Sequence, residues 1–249
     1  MTIKKHIILT TLFILGSLSV FGNIFHNESL NYQIVYHWGV IWKHAANASL
    51  EINHNNDTYE AKLYAHTLSW VDKIYKVRDT LNSTIDKKHF IPIKYIKATH
   101  EKNHIGRDIV EFNHENGYTI GNCIRIRPNK EDFKTTLKTK GNAYDMLSVF
   151  YMLRTLDINK LKQKGIFQTT IFSGKRQEIL EIRYIGIENI KLRDKSKHKA
   201  YHLTFSFTQE GKEKSSDDID TWLSMDDTHI PLMLKGSLPI GEVCVYYTK

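Results

Sequence analysis

The sharpest chemical motif in the sequence is the string HEKNH, which runs from His100 to His104 and satisfies the pattern H-E-x-x-H. On a helix, two histidines at this spacing share one face and hold zinc, and Glu101 would activate a water molecule for hydrolysis. Here both flanks, residues 93–99 and 105–112, have the alternating pattern of strands. We therefore expect a hairpin tip and no metal site. A zinc-dependent hydrolase that uses His100, Glu101 and His104 is an alternative.

Other catalytic signatures are absent from the sequence. It has no G-x-S-x-G nucleophile elbow, no phosphate-binding P-loop, no dinucleotide-binding glycine fingerprint and no C-x-x-C pair. The adjacent carboxylates of Asp226 and Asp227 are typical of a turn, because neighbours on a strand point to opposite faces. We expect no catalytic residues, no cofactor and no enzyme activity.

The charge balance limits the class of partner. The 249 residues contain 35 Lys and Arg against 27 Asp and Glu, which gives a formal net charge of +8. The excess is concentrated in short stretches at residues 125–127, 134–140 and 191–199, each interrupted by acidic or polar residues. Blocks of this length are typical of solvated loops, so we do not expect nucleic-acid binding.

The N-terminal residues have the organisation of a secretory signal peptide. Lys4 and Lys5 precede an apolar run at residues 7–15, and residues 20–22 fit a signal-peptidase site. The run is shorter than the roughly 18 residues that would span a bilayer. We therefore expect a signal peptide at residues 1–22 and an exported, periplasmic or envelope-associated protein without a membrane span after cleavage.

The rest of the chain is dominated by strand patterns. Short runs of β-branched and aromatic residues alternate with polar residues and are bounded by Asn, Asp and Gly clusters. A long hairpin is expected to turn at residues 53–57, and about a dozen antiparallel strands follow from the same pattern. No linker rich in glycine or proline divides the chain. We predict one mostly β domain over residues 23–249.

One segment, at about residues 143–156, breaks the strand pattern and predicts a helix. Its apolar side chains cover most of a helical wheel, so the helix should be buried with the sheet wrapped about it. Asn142 is the expected N-cap, with Asp145 three residues later. Cys123 and Cys244 could pair in an oxidising compartment, but their spacing leaves this open.

Three blocks of sequence resemble the bacterial exported family known as domain of unknown function 3108. They are DMLSVFYMLR at residues 145–154, an aspartate-containing segment at residues 77–86, and TWLSMDD followed by IPL within residues 221–232. The resemblance implies a curved, spiralling, β-roll-like antiparallel sheet around one central buried helix in an envelope protein. It implies no activity.

Three residues are the best candidates to line a ligand cavity: Tyr151 and Arg154 on the helix, and Trp222 on a late strand. A buried arginine is costly unless it meets an anion or a carboxylate. Arg154 therefore either binds an anionic ligand or forms an internal ion pair with Asp79 or Asp145. We expect an exported, non-enzymatic protein that binds a lipid-like or glycan envelope component or an envelope protein. A ligand-free structural module is an alternative, and the oligomeric state stays open.

Overall fold

The computed structural model describes residues 25–212 and 216–249, which form one large sheet and three short helices. The strands are β1 Glu28–Trp38, β2 Ile41–Asn55, β3 Thr58–Thr67, β4 Arg78–Asp86, β5 Pro92–Glu101, β6 His104–Glu115, β7 Tyr118–Ile126, β8 Phe133–Lys140, β9 Ala143–Tyr144, β10 Ile166–Phe172, β11 Gln177–Lys191, β12 Lys197–Gln209, β13 Ile219–Ser224, β14 Pro231–Ser237 and β15 Glu242–Tyr247. The helices are α1 Ser69–Tyr75, α2 Ser148–Arg154 and α3 Ile158–Lys164.

The fifteen strands form a nearly closed, barrel-like sheet in the order β8-β7-β6-β5-β4-β3-β2-β1-β15-β14-β13-β12-β11-β10-β9. Strand β1 lies in the middle and pairs with both β2 and β15. All pairs are antiparallel except that of β9 with β10, as the short connections predict. The two edges approach at a seam, where Thr139 Oγ1 lies 3.4 Å from Thr170 Oγ1 and Phe112 stacks on Phe172.

Antiparallel order places alternate connections at the same end of the sheet. One end, here named the upper rim, carries the connections that follow β1, β3, β5, β7, β10, β12 and β14. Segments that lie far apart in the sequence therefore become neighbours along this rim. The segment between β3 and β4 contains α1, and the last connection joins β14 to β15.

The predicted helix is shorter than expected. Residues 143 and 144 form β9, and α2 begins only at Ser148. Asp145, and not Asn142, caps it: its Oδ1 accepts hydrogen bonds from the backbone N–H groups of Leu147 and Ser148, both at 2.8 Å, while its own N–H donates to Ser148 Oγ. The helix starts later than predicted because Asp145, three residues after Asn142, caps its first turn through this reciprocal pair of hydrogen bonds with Ser148.

The helix α2 is buried in the large hydrophobic core cluster. Tyr151 and Leu153 pack there with apolar side chains from both halves of the sheet, including Tyr59 on β3 and Ile182 on β11. Only Phe150 of its seven residues is partly exposed. Burial on nearly all sides agrees with the apolar helical wheel, since such a helix needs apolar partners around it.

The lysine-rich stretch at residues 134–140 is not a loop but most of β8, which is an edge strand of the sheet. Its lysines alternate with partly buried residues such as Leu137 and point to solvent. Charged side chains on an edge strand prevent pairing with other chains, which explains a basic pattern in regular structure.

The structure bears unequally on the predictions for the signal peptide and the two cysteines. The expected signal peptide lies outside the described residues. Cys123 and Cys244 are buried free thiols on β7 and β15. Among the described residues, no helix has the length and apolar character needed to cross a membrane.

Candidate functional site

The HEKNH string forms a hairpin tip, as its flanks predict. Glu101 ends β5, His104 begins β6, and these two residues pair directly across the hairpin. Directly paired residues share a face of the sheet, whereas His100, next to Glu101 along the strand, points to the opposite face. The two imidazoles therefore lie on opposite sides of the sheet. Within residues 25–212 and 216–249, no group of three metal-ligating side chains comes together.

Arg154 is fully engaged inside the molecule. Its Nη1 and Nη2 donate to the two carboxylate oxygens of Glu28 at 2.6 and 3.0 Å, and its Nε donates to the Thr228 carbonyl at 2.9 Å. The guanidinium also lies 4.9 Å from the ring centroid of Phe25. Its side chain is only 1% exposed. The internal ion pair therefore exists, but its partner is Glu28 rather than Asp79 or Asp145.

Tyr151 lies in the same interior as Arg154. Its hydroxyl is buried and has no hydrogen-bond partner among the described residues, as is also true of Tyr32, Tyr59 and Tyr95. Burial raises the pKa of Tyr151 above its ordinary range. The phenol therefore stays neutral at physiological pH and serves as packing surface in the core.

Trp222 belongs to a different cluster. Its indole Nε1 donates to Glu188 Oε2 at 2.9 Å and its ring stacks on His202 at 4.6 Å. His202 in turn contacts Glu188 at 2.9 Å and Asp220 at 2.7 Å. The hydrogen bond from Trp222 is the largest contribution that lowers the pKa of Glu188. Tyr151 and Trp222 lie in separate core clusters, so the structure does not bring the predicted residues together in one site.

The best candidate site is a groove of about 670 Å³ on the upper rim, here named the basic groove. Arg125 comes from the end of β7, Arg127 and Lys130 from the β7–β8 connection and Lys175 from the β10–β11 turn. Glu131 also lines it, as does His104, the last residue of the HEKNH string. Ile105 and Phe133 add apolar surface and are 51% and 48% exposed. The groove therefore offers four cations beside apolar side chains.

Asp108 holds the two arginines in place. Its carboxylate contacts Arg125 Nε at 3.2 Å and Arg127 Nη1 at 2.7 Å from below the groove. Arg127 Nη1 also donates to the carbonyl of Ile126 at 2.7 Å. One carboxylate neutralises only one of two guanidinium groups. The pair thus retains net positive charge in a defined position, which is suited to an anionic oxygen.

The β10–β11 turn reaches the groove because a glycine lets it approach. Gly174 has φ +97°, and a Cβ at this position would lie 3.0 Å from Asp108 Cβ. The turn therefore packs directly on β6 and carries Lys175 across the seam, where its Nζ lies 5.8 Å from the ring centroid of Phe133. A second cleft of about 360 Å³ shares Lys175 and continues along the seam past Arg176.

Sequence reasoning did not identify this groove. Residues 125–127 stood out as a basic stretch, but their alternation on β7 gave no sign that they face Lys175, which lies almost fifty residues later. The available signal was the pair of cations separated by one residue at the end of a predicted strand, since such residues share a face. Their partners depend on how the sheet closes.

Comparisons with known proteins agree with this fold. A model for the family described as "Protein of unknown function (DUF3108)" matches residues 31–248. No curated protein matches the chain. Among solved structures, a beta-barrel-like protein of domain of unknown function DUF1849 from Brucella abortus is similar, with a TM-score of 0.60 and 11% identity, over 90% of this chain and 96% of that one. At this identity the similarity concerns the fold alone.

Proposed function

This chain belongs to the DUF3108 family of proteins of unknown function, and we propose that it is an exported, non-catalytic binding protein of the cell envelope that holds an anionic lipid-like component in the basic groove. The observation that carries the proposal is the convergence of four cations and two exposed apolar side chains at the seam. An amphiphile with a phosphate headgroup matches both parts of this lining.

The charges in the groove support binding rather than chemistry. Arginine and lysine side chains donate hydrogen bonds to an anion and accept none, so they provide neither a base nor a nucleophile under ordinary conditions. His104 and Glu131 also line the groove and can accept a proton, but the described residues of the lining include no hydroxyl or thiol side chain for them to activate. Asp108 is engaged with both arginines and is largely buried. The geometry of the HEKNH tip gives the zinc hydrolase no support, because its histidines face opposite sides of the sheet.

The location in the envelope is part of the proposal. It rests on the sequence of residues 1–22, where two lysines precede an apolar run and a signal-peptidase site. An exported basic protein meets anionic lipids and glycans, and the apolar surface of Ile105 and Phe133 favours a lipid-like component over a bare glycan.

We further propose that α2 is the central helix around which the curved sheet wraps. The burial of its side chains with residues from both halves of the sheet supports this. In this arrangement Tyr151 and Arg154 brace the interior while the binding surface lies at the seam. A direct role of Tyr151, Arg154 and Trp222 in ligand binding stays a prediction.

Soluble short-chain lipids test the proposed function. Dihexanoyl phosphatidylglycerol, below its micellar concentration, is titrated into residues 23–249 by calorimetry, with dihexanoyl phosphatidylcholine and a uronic-acid tetrasaccharide as comparison ligands. We expect binding of the anionic lipid only. The double variant Lys130→Gln/Lys175→Gln should weaken it by about tenfold, because each exposed lysine contributes a charge-assisted hydrogen bond of roughly 1 kcal/mol or less.

A matched control variant shows whether the loss of affinity is specific to the basic groove. Lys197→Gln/Lys199→Gln removes two exposed lysines of β12 at the opposite end of the sheet and should leave the affinity unchanged. Tighter binding of the tetrasaccharide than of the lipid would replace the lipid with a glycan as ligand. Equal loss in both double variants, or no binding of any ligand by the wild type, would refute the groove as a binding site and favour a ligand-free structural module.

A further inference from the structure

Exposed apolar side chains are concentrated at one end of the molecule. Of the eighteen large hydrophobic residues exposed among the described part of the chain, eleven lie on the upper rim or on the strand ends that border it. They are Trp38, Val40, Ile41, Trp42, Ile74, Tyr75, Ile105, Ile126, Phe133, Leu238 and Ile240. Scattered exposed apolar residues need no explanation, but a concentration at one rim indicates an interaction surface.

The most prominent part of this surface consists of two adjacent hairpin tips, residues 38–42 between β1 and β2 and residues 238–241 between β14 and β15, here named the apolar tips. Strand β1 pairs with β15, so the tips lie side by side. Val40 is 96% exposed, Ile240 is 65% exposed and Trp38 is 56% exposed. Neither tip contains a charged residue. Large apolar side chains are thus held in solvent at the two most protruding points of the pair.

Hydrogen bonds and ring stacking hold the apolar tips in place. Tyr36 Oη donates to the carbonyl of Ile240 at 3.0 Å, and His37 contacts the carbonyl of Gly39 at 2.8 Å and stacks on Trp42 with ring centroids 3.7 Å apart. A Cβ on Gly241 would collide with the carbonyl oxygen of His37, so the second tip fits closely against β1. The exposure of the tips is therefore part of the folded structure.

Three lysines border the apolar tips, whereas two of the neighbouring acids are in ion pairs. Lys43 follows the first tip and lies 3.9 Å over the ring of Trp70, which hydrogen-bonds to His44 and so joins α1 to the base of the tip. Lys73 and Lys76 are exposed beside Ile74 and Tyr75 on the same segment. Asp72 pairs with Arg78, and Glu242 pairs with Lys235. Glu101, which accepts a hydrogen bond from Tyr75 Oη at 3.2 Å, offsets this charge only in part, so Lys43, Lys73 and Lys76 leave an excess of positive charge beside the apolar tips.

We propose that the apolar tips dock the protein on an anionic lipid bilayer, with Trp38, Val40, Ile41, Trp42, Leu238 and Ile240 entering the interfacial region. Tryptophan and aliphatic side chains at a protruding tip, with lysines directly behind them, match the order of acyl chains and anionic headgroups in a membrane surface. Two narrow, convex tips suit a fluid bilayer, whereas a protein partner would need a preformed pocket for each.

This inference rests on the proposed function and extends it. The connections of the upper rim form a continuous arc from the β14–β15 tip through the β1–β2 tip, α1 and the β5–β6 tip to the basic groove. Docking at the tips would turn the end of the barrel that carries the basic groove toward the membrane, with the groove at the seam across the rim from the tips. The charge of the groove complements the same anionic surface.

Vesicle binding tests the docking surface. Residues 23–249 are mixed with vesicles of phosphatidylethanolamine and phosphatidylglycerol in a 3:1 ratio and with pure phosphatidylcholine vesicles, and co-sedimentation and tryptophan quenching by brominated lipids are measured. We expect binding to the anionic vesicles with quenching. Val40→Ser/Ile240→Ser should weaken the partition by about tenfold or more, because two apolar side chains no longer enter the interface. Both residues are highly exposed, so the fold should be unaffected.

The control variant is Ile185→Ser/Ile187→Ser, which removes two exposed aliphatic residues of β11 away from the rim. It should bind vesicles as the wild type does. Equal partition of wild type and Val40→Ser/Ile240→Ser, or equal losses in both double variants, would overturn the docking proposal. Binding of the soluble short-chain lipid without vesicle binding would overturn docking alone, whereas vesicle binding without short-chain lipid binding would overturn the function of the groove alone.

Discussion

The ion pair between Arg154 and Glu28 allows a quantitative test of how α2 is anchored. It joins the last residue of α2 to the first residue of β1, and the two side chains make two hydrogen bonds. The two partners differ in burial, because the side chain of Arg154 is 1% exposed and that of Glu28 is 22% exposed. Removing either partner should therefore have unequal effects on the free energy of unfolding.

The magnitude follows from what each change leaves behind. Glu28→Ala leaves a buried guanidinium with only the Thr228 carbonyl and the nearby aromatic rings, and should cost about 4 kcal/mol. Arg154→Met leaves a carboxylate that reaches water, and should cost about 2 kcal/mol. The double variant removes both charges and should cost about 3 kcal/mol, which gives a coupling energy of about 3 kcal/mol. In a chain of this size, Glu28→Ala should lower the Tm by about 10 °C.

Urea unfolding at pH 7, followed by tryptophan fluorescence, measures all three variants. The exposed cross-strand pair of Lys94 and Glu111, whose atoms lie 3.0 Å apart, is the matched control. The cycle of Lys94→Met and Glu111→Ala should give a coupling energy of about 0.5 kcal/mol or less, since exposed pairs are well solvated. A coupling energy between Arg154 and Glu28 no larger than that of the control, or a greater cost for Arg154→Met than for Glu28→Ala, would refute the reasoning.

Two further predictions concern Asp145 and the HEKNH tip. Burial raises the pKa of the Asp145 carboxyl above its ordinary value of 3.8. The folded protein therefore binds the carboxyl proton more tightly than the unfolded chain does. As pH rises from 3.8 to the raised pKa, the contribution of Asp145 to the free energy of unfolding falls. In urea titrations between pH 4 and 8, the stability of Asp145→Asn relative to the wild type should therefore increase as pH rises. If the wild type instead becomes more stable relative to the variant, the backbone N–H groups that donate to the Asp145 carboxylate outweigh the effect of burial. His100→Ala and His104→Ala should leave the zinc content unchanged by elemental analysis, because the two imidazoles face opposite sides of the sheet; loss of one bound zinc in either variant would restore the hydrolase.

Much of the local structure could be predicted from the sequence because it depends on neighbouring residues. Alternation in Tyr32, Ile34 and Tyr36 predicts β1, the strand-like flanks predict a hairpin at His100–His104, and the apolar wheel predicts a buried helix near Tyr151. The family was identified from three short blocks for the same reason. The start of α2 was predicted wrongly because residues 143 and 144 pair with β10, and the sequence of the segment itself does not show this long-range contact.

Which of these elements contact one another depends on the tertiary structure. Glu28 lies 126 residues before Arg154, and no local pattern distinguishes it from Asp79 or Asp145 as the partner. Trp222 shares a sequence block with Leu223, yet its ring joins His202 and Glu188 while Leu223 enters the main core, because adjacent residues on a strand face opposite sides.

The candidate sites illustrate the same division. The uncharged, aromatic residues of the β1–β2 tip and the cations of residues 125–127 are visible in the amino-acid sequence, since both are properties of composition. That Lys175 faces Arg127, and that the tip at Ile240 lies beside the tip at Val40, follows only from the closure of the sheet. Closure depends on side-chain packing summed over many strands, such as that of Gly174 on Asp108, and this long-range free energy is not encoded in any single segment.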